Sequence, residues 1–362
     1  MSLSAQAILE KHLATFIVPQ TARPLGAAGT RFSVDAGARR VGVHCGFPTE
    51  HSAADLVRKL QAHCESLQPG GSLSFSIEWS VETHAVQQGL KPLPGVANLI
   101  AVASGKGGVG KSTVASNLAL GLAREGARVG ILDADIYGPS QPRILGLLGR
   151  RPESADGKTI TPLRAHGLVA MSIGFLVDEK QPMAWRGPMV TSALNQLLTQ
   201  TLWGELDYLF IDMPPGTGDI QLTLAQRVPV SGAVIVTTPQ EIALADARKG
   251  LEMFQKVSVP VLGVIENMGV HVCSQCGHEE SIFGAAGGAR LAADYGLPLL
   301  GSLPLQRDVR EHTDQGVPTV VAAPESPAAR RFIEAASRTA GELAATSKDY
   351  SRLFPKITVE DS

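Results

Sequence analysis

From Asn98 onward, short apolar runs alternate with polar-faced segments of helix length. The runs are LIAVAS, VGILDAD, LVAMSIG, YLFIDM, GAVIVTT and PVLGVIEN, with PLLGSLP near the end. They lack the polar alternation of a half-solvated strand, so both faces are expected to be covered, as in a mostly parallel sheet between helical layers. Residues 98–345 are therefore predicted to form an α/β, doubly wound domain. Upstream, residues 39–79 read as a smaller α/β unit. Val41, Val43, Cys45 and Phe47 alternate onto one strand face, 52–67 carries a helical repeat, and 72–79 reads as another strand. Cys45 shares its face with apolar neighbours, and Cys64 stands at helical spacing from Leu56, Leu60 and Leu67, so both are expected to be small core residues.

Between these units, THAVQQGLKPLPG has no clear period and ends in Pro92 and Pro94, which disfavour helix and remove ladder donors. Residues 82–97 thus read as a linker between a 1–81 unit and the larger domain. Residues 328–345 are Ala-rich and helical, with Arg330 and Arg331. A docking or surface helix is expected there; the alternative, a basic membrane anchor, calls for a bulkier apolar face. Residues 346–362 read as a polar tail, and no repeat of fixed period is seen.

Composition narrows the function. The 362 residues are 44% apolar, enough for a sizeable core, and 32 basic against 34 acidic residues leave a formal charge of -2. Without a basic stripe, neither nucleic acid nor an acidic membrane is an expected partner. The first residues lack a charged start before an apolar core, and no run of about 18 apolar residues occurs, so secretion and membrane spanning are disfavoured. Four cysteines are too few for a disulfide framework, which places the chain in a reducing compartment, the cytoplasm.

The strongest chemical signal is GKGGVGKST, comprising Gly105, Lys106, Gly107, Gly108, Val109, Gly110, Lys111, Ser112 and Thr113. It satisfies the G-x-x-x-x-G-K-[ST] spacing directly after a strand and before a helix, the context a phosphate loop requires. The glycines let N–H groups turn inward around phosphate oxygens, Lys111 neutralises the outer phosphates of ATP, and Ser112 offers its hydroxyl to Mg2+. One lysine suffices for binding, so a second, Lys106, suggests that one of the two reaches a different nucleotide, as across a dimer; the alternative is a surface lysine. Two acidic stretches follow. DADIYGPS puts Asp133 and Asp135 at the C-terminal end of a strand, where this architecture binds ligands. YLFIDMPPGTGD ends a buried strand in Asp212, the pattern of a carboxylate that organises Mg2+. The Pro/Gly-rich residues 214–219 look like a switch sensitive to the γ-phosphate.

After the strand PVLGVIEN comes Cys273-Ser-Gln-Cys276-Gly-His278, expected in an exposed loop on the nucleotide side of the sheet. Two thiolates supply half of a tetrahedral site or one ligand to each of two irons. A second copy of the loop across a two-fold axis is the simplest completion. Three readings stay open on the residues alone: a cluster shared between two chains, a structural zinc using His271 or His278, and a redox pair.

GKGGVGKST resembles the deviant phosphate loop of the MinD/ParA and nitrogenase iron protein group. Together with DADIYGPS, MPPGTGD, ENM and CxxCGH in this order, it makes residues 95–345 closely similar to the Mrp/ApbC family of iron-sulfur cluster carriers. The resemblance implies a P-loop ATPase that works as a homodimer, holds a labile [4Fe-4S] cluster between two CxxC pairs and passes it to apo iron-sulfur proteins, alongside cluster assembly factors. It implies that Lys106 reaches the partner's nucleotide, that Asp135 orients the attacking water and that Asn267 reads the adenine. The first domain resembles a small domain of other iron-sulfur assembly factors, but its GFPTEH segment carries no cysteine, so partner contact is the role expected of it. A positioning or partition ATPase and a zinc-stapled scaffold are the rival readings; neither has a use for all five motifs.

Overall fold

Each of the apolar runs forms a strand in the computed structural model, which describes residues 5–65, 73–176 and 187–347. In spatial order the parallel strands are Leu168–Ser172, Val129–Asp133, Leu206–Asp212, Val96–Ala103, Gly232–Thr237, Val261–Val272 and Leu299–Leu305. Short antiparallel strands, Leu163–Ala165 and Glu279–Glu280, complete a nine-stranded sheet. Val129–Asp133 and Gly232–Thr237 are buried at every position, and Val96–Ala103 at every position but Ala97, as strands covered on both faces should be.

The chain winds to one side of Val96–Ala103 and then to the other. Right-handed crossovers in opposite directions put helices on opposite faces. Lys111–Arg124 packs with Pro327–Ala344, while Gly187–Gln200, Asp219–Arg227, Glu241–Lys256 and Gly287–Asp294 contact one another in series. The reversal of winding beside Val96–Ala103 leaves a crevice at the carboxyl ends of the strands, where the phosphate loop and the acidic residues come together.

The alanines of 328–345 have a packing reason. A Cβ on Gly121 would stand 2.8 Å from that of Ala336, and one on Gly301 3.0 Å from that of Ala335, so small residues set how closely the last helix approaches its neighbours. Pro327–Ala344 buries Phe332, Ala335, Ala336, Ala340 and Leu343, which makes it a core helix rather than a surface helix or a membrane anchor. Among the described residues no helix is long and apolar enough to cross a membrane.

The N-terminal part forms a three-stranded sheet: Thr30–Asp35 antiparallel to Arg40–Cys45, which is parallel to Ser74–Trp79. Helix Ala53–His63 makes the crossover, and Ala5–Leu13 adds a helix that the hydrophobic pattern had not indicated. Cys45 and Cys64 are fully buried, and burial pushes the Cys45 thiol up to about 12, which fits core residues. The predicted helix and strand ends at Leu67 and Ser72 lie outside the described residues, as does the tail beyond Ser347.

The segment read as a linker is fastened down. The backbone N–H of His84 donates to Asn98 Oδ1 at 3.0 Å, and Asn98 Nδ2 donates to the Glu82 carbonyl at 2.9 Å. Gln87 Nε2 donates to the carbonyl of Ala225 at 2.7 Å, while Gln87 Oε1 accepts from the N–H of Val230 at 3.0 Å. Side-chain amides here satisfy irregular backbone, an order that leaves no periodic trace in sequence. The first strand of the large sheet accordingly begins at Val96, two positions before the predicted start.

The N-terminal unit docks on the ends of the two packed helices. Arg23 makes a forked pair with Glu342 at 3.0 and 2.7 Å. Glu125, just after helix Lys111–Arg124, accepts from both the N–H and the hydroxyl of Ser52 at 3.0 and 2.9 Å, and its carbonyl accepts from the Glu50 N–H. GFPTEH is therefore engaged within the chain itself. Glu125→Ala removes both hydrogen bonds to a buried carboxylate and leaves Ser52 without an acceptor. A destabilisation of about 1–3 kcal/mol is expected, read as a lower chemical-denaturation midpoint than wild type.

Candidate functional site: a phosphate cradle and a cysteine hairpin

The loop after Val96–Ala103 is shaped by backbone that only glycine adopts without strain. Gly108 and Gly110 lie at φ +83° and +80°, and Gly110 is the N-cap of helix Lys111–Arg124. Gly105 abuts the backbone of Asp246 and Gly110 abuts the Asn267 amide, whereas a Cβ on Gly107 or Gly108 would meet nothing within 4 Å. The packed glycines hold the loop and the open ones leave its concave side free for phosphate oxygens, with the helix N-terminus behind. A cavity of about 420 Å³ opens there, lined by Lys106–Thr113, Asp135, Arg143 and Pro215 among others. A neighbouring cavity of about 400 Å³ shares Gly110, Thr113 and Thr313 with it and is lined by Asn267, Met268, Pro304, Leu305, Gln306 and Val309.

Behind the cradle lies a buried polar network. Asp212 and Asp133 are register partners on adjacent strands and both are fully buried. Lys111, only 6% exposed, donates to Asp212 Oδ1 and also to the Ser112 hydroxyl at 3.2 Å. Gln141 Nε2 donates to Asp212 Oδ2 at 2.8 Å and to the Ser112 carbonyl at 3.1 Å, while its Oε1 accepts from Ser116 at 2.7 Å. Asp133 accepts from the Gln141 N–H at 3.0 Å, the Ser172 hydroxyl at 3.1 Å and the Asp135 N–H at 3.1 Å. Two carboxylates thus face one ammonium. Burial, then repulsion from Asp212, pushes the Asp133 carboxyl up to about 7. Burial also raises Asp135, which lines the cavity and accepts from the Gly138 N–H at 3.3 Å.

Lys106 is exposed at the cavity rim, its carbonyl held by the Ser104 hydroxyl at 2.9 Å. The Gly216 N–H donates to the Ser104 carbonyl at 3.0 Å, so segment 214–219 touches the root of the phosphate loop. Gln141 and Arg143 were not singled out from sequence. Their only trace was GPSQPR, beginning three positions after Asp135, where the fixed φ of Pro142 suits the first turn of the short helix Gln141–Ile144.

The last strand before the cysteines runs further than its apolar run, from Val261 to Val272, with a register shift between Glu266 and Val270 and Met268 at φ +57°. Asn267 lies inside this strand, buried, donating from Nδ2 to the Val109 carbonyl of the phosphate loop at 2.8 Å. The expected exposed loop, residues 273–278, closes a tight hairpin. His271 and Val272 pair with Glu280 and Glu279, the Cys273 N–H donates to the His278 carbonyl and the Gly277 N–H to the Cys273 carbonyl, both at 2.9 Å. Gly277, at φ +72°, makes the turn. Backbone N–H groups of Gln275 and Cys276, then the Cys276 thiol, lower the Cys273 thiol below its ordinary value, which favours the ligating thiolate. Cys276 is exposed and Cys273 partly so. Among the described residues no three His, Cys, Asp or Glu gather around a metal-sized position, so neither His271 nor His278 completes a site with the cysteines inside one chain.

Known proteins are similar to this chain in sequence and in fold. An iron-sulfur cluster carrier protein of Pseudomonas fragi is 59% identical over 278 residues, covering 76% of this chain and 97% of its own. The iron-sulfur cluster transfer protein NUBPL of Mus musculus is 51% identical over 266 residues, covering 72% of this chain and 83% of its own. Among solved structures, a nucleotide-binding protein of Archaeoglobus fulgidus in complex with ADP is 38% identical with a TM-score of 0.58, covering 66% of this chain and 93% of that one. The cell division ATPase MinD of Pyrococcus furiosus, 22% identical with a TM-score of 0.50, shares the fold, covering 67% of this chain and 97% of its own. The ParA family described as NUBPL iron-transfer P-loop NTPase matches residues 95–340, from the first strand of the large sheet into its last helix, and the chain belongs to that family.

Proposed function

We propose that the protein is an ATP-hydrolysing iron-sulfur cluster carrier that works as a homodimer in the cytoplasm. It holds a labile [4Fe-4S] cluster between two CxxC hairpins, receives it from cluster assembly factors and delivers it to apo iron-sulfur proteins. The observation that carries this reading is the hairpin itself. Two cysteines, one primed as thiolate by backbone N–H groups, stand at the surface with no further ligand gathered around them among the described residues. A second copy supplies the missing ligands, and a cluster held at such a junction is accessible to an acceptor. The names of the relatives support iron-sulfur cargo.

The nucleotide half follows from the cradle. Phosphates lie against the N–H groups of Gly107 to Thr113, and Lys111 turns from Asp212 to meet them. Ser112 and Asp212 hold Mg2+, directly or through water. The residues suit a dication, because two buried carboxylates share one lysine and the network carries surplus negative charge. Mg2+ supplies charge neutralisation at the phosphates. Asp135, on the cavity wall, orients the attacking water, and its raised proton affinity suits a proton acceptor. Lys106 reaches across the dimer to the partner's nucleotide. Residues 214–219 relay the presence of the γ-phosphate through Gly216 and Ser104. The adenine occupies the second cavity beside Asn267.

Anaerobic reconstitution with iron and sulfide tests the cargo. Wild type is expected to bind about four irons per two chains with visible cluster absorbance, and Cys273→Ala or Cys276→Ala to bind none; variants that keep their iron exclude the carrier reading. The two lysines separate in function. Lys111→Ala is expected to weaken nucleotide binding by about tenfold to a hundredfold, as for a lost charge-assisted contact. Lys106→Ala is expected to keep affinity while phosphate release slows by about a thousandfold. Calorimetric titration and a steady-state phosphate assay distinguish the two.

A further inference from the structure

Glu266 and Asn267 are consecutive on one strand, so their side chains leave it on opposite faces. Asn267 points to the phosphate loop, where its Nδ2 donates to the Val109 carbonyl at 2.8 Å, and it also lines the second cavity. Glu266, 4% exposed, turns the other way. Its Oε2 accepts from the Gly288 N–H at 2.7 Å and its Oε1 from the Ser302 hydroxyl at 3.1 Å.

Gly288 sits in the first turn of helix Gly287–Asp294, where the chain returns to the domain after the cysteine hairpin. The Glu266 carboxylate therefore ties together the beginning and the end of the excursion 267–287, which carries Cys273 and Cys276. The tie is closely packed. A Cβ on Gly288 would stand 2.7 Å from that of Glu266, and one on Gly269 would stand 2.8 Å from Glu266 Oε1. On the hairpin strand Val270 and His271 pair with Pro304 and Leu305 of the neighbouring strand, while Arg331 reaches Glu279 at 3.2 Å through exposed side chains, a weak hold. Between Asn267 and the cysteines lies the register shift with Met268 at φ +57°, a point where the strand can change its bend.

The geometry points to Glu266 and Asn267 as a positioning pair that couples nucleotide occupancy to the placement of the CxxC hairpin. The inference rests on the carrier reading for its purpose. Nucleotide entering beside Gly110 competes for the Asn267 amide, the strand shifts at its bulge, and the Glu266 clamp converts that shift into movement of both ends of the excursion. Without the clamp, only one end follows. Such coupling needs a differential contact in the two states, and the Asn267 amide supplies one.

Thiol alkylation tests this without iron. The reduced full-length chain is treated with iodoacetamide, with and without saturating Mg·ADP or Mg2+ plus a non-hydrolysable ATP analogue. Peptide mapping then gives separate rates for Cys273 and Cys276, with buried Cys45 and Cys64 as internal controls. In wild type, nucleotide is expected to change the Cys276 rate by about fivefold or more. Glu266→Ala is expected to keep nucleotide affinity while the two rates converge. Glu266→Gln is expected to restore the response, because its amide oxygen accepts from Gly288 and its NH2 donates to Ser302. A wild-type rate indifferent to nucleotide overturns the coupling, as does an unchanged response in Glu266→Ala. Should Glu266→Ala fail to fold by circular dichroism, Ser302→Ala decides: a diminished response is expected, and a response equal to wild type overturns the inference. Iron loading judges the carrier reading independently, since a chain can bind the cluster with or without this coupling.

Discussion

The buried pair of Lys111 and Asp212 is the interaction on which the rest depends. A lysine 6% exposed and a carboxylate fully enclosed are costly to remove from water, and their attraction offsets that cost only while both are present and hydrogen-bonded. Gln141 and Ser112 complete the bonding of the pair, and beside them stands a second carboxyl, Asp133, which burial and then repulsion from Asp212 push up to about 7. The arrangement is stable without nucleotide yet predisposed toward it. In the proposed mechanism phosphates draw Lys111 away, Asp212 is left to a cation, and Gln141 carries the change into the turn that bears Asp135, so that binding, metal organisation and water placement would follow from a single exchange of partners.

The same crevice reaches outward through rigid elements. Helix Lys111–Arg124 begins at the cradle and is followed by Glu125, on which the N-terminal unit docks, so one helix spans from the cradle to that unit. Strand Val261–Val272 passes the cradle at Asn267 and continues without a break into the cysteine hairpin. Small residues keep the supports close: Gly121 against Ala336, Gly301 against Ala335 and Gly288 against Glu266. Packing this tight favours discrete alternative positions over gradual deformation.

Much of this was legible in the sequence, for identifiable reasons. Apolar runs of strand length announced the parallel sheet, and GKGGVGKST announced its cradle, because phosphate binding needs glycines at fixed offsets from a lysine. Asp212 was readable as a charge ending a buried strand. Gln141 was not, because a glutamine there has no signature until two strands and a helix converge on it. The 82–97 segment read as a linker since side-chain amides, not periodic packing, fix it. The exposed cysteine loop was legible, but not the strand that carries it to Val272, because ENMGVHV interrupts the apolar pattern while strand pairing continues across a bulge. Ala-rich 328–345 lacked the bulk expected of a core helix, yet its neighbours demand small residues.

The proposed mechanism makes nucleotide state govern how the cluster is held and surrendered. It is tested most directly by the rate of cluster transfer from the loaded wild-type protein to an apo iron-sulfur acceptor, followed by the acceptor's own spectrum, with no nucleotide, with Mg·ADP and with Mg·ATP. The account predicts rates that differ among the three conditions. Equal rates in all three, from protein shown to be both cluster-loaded and nucleotide-bound, would contradict it.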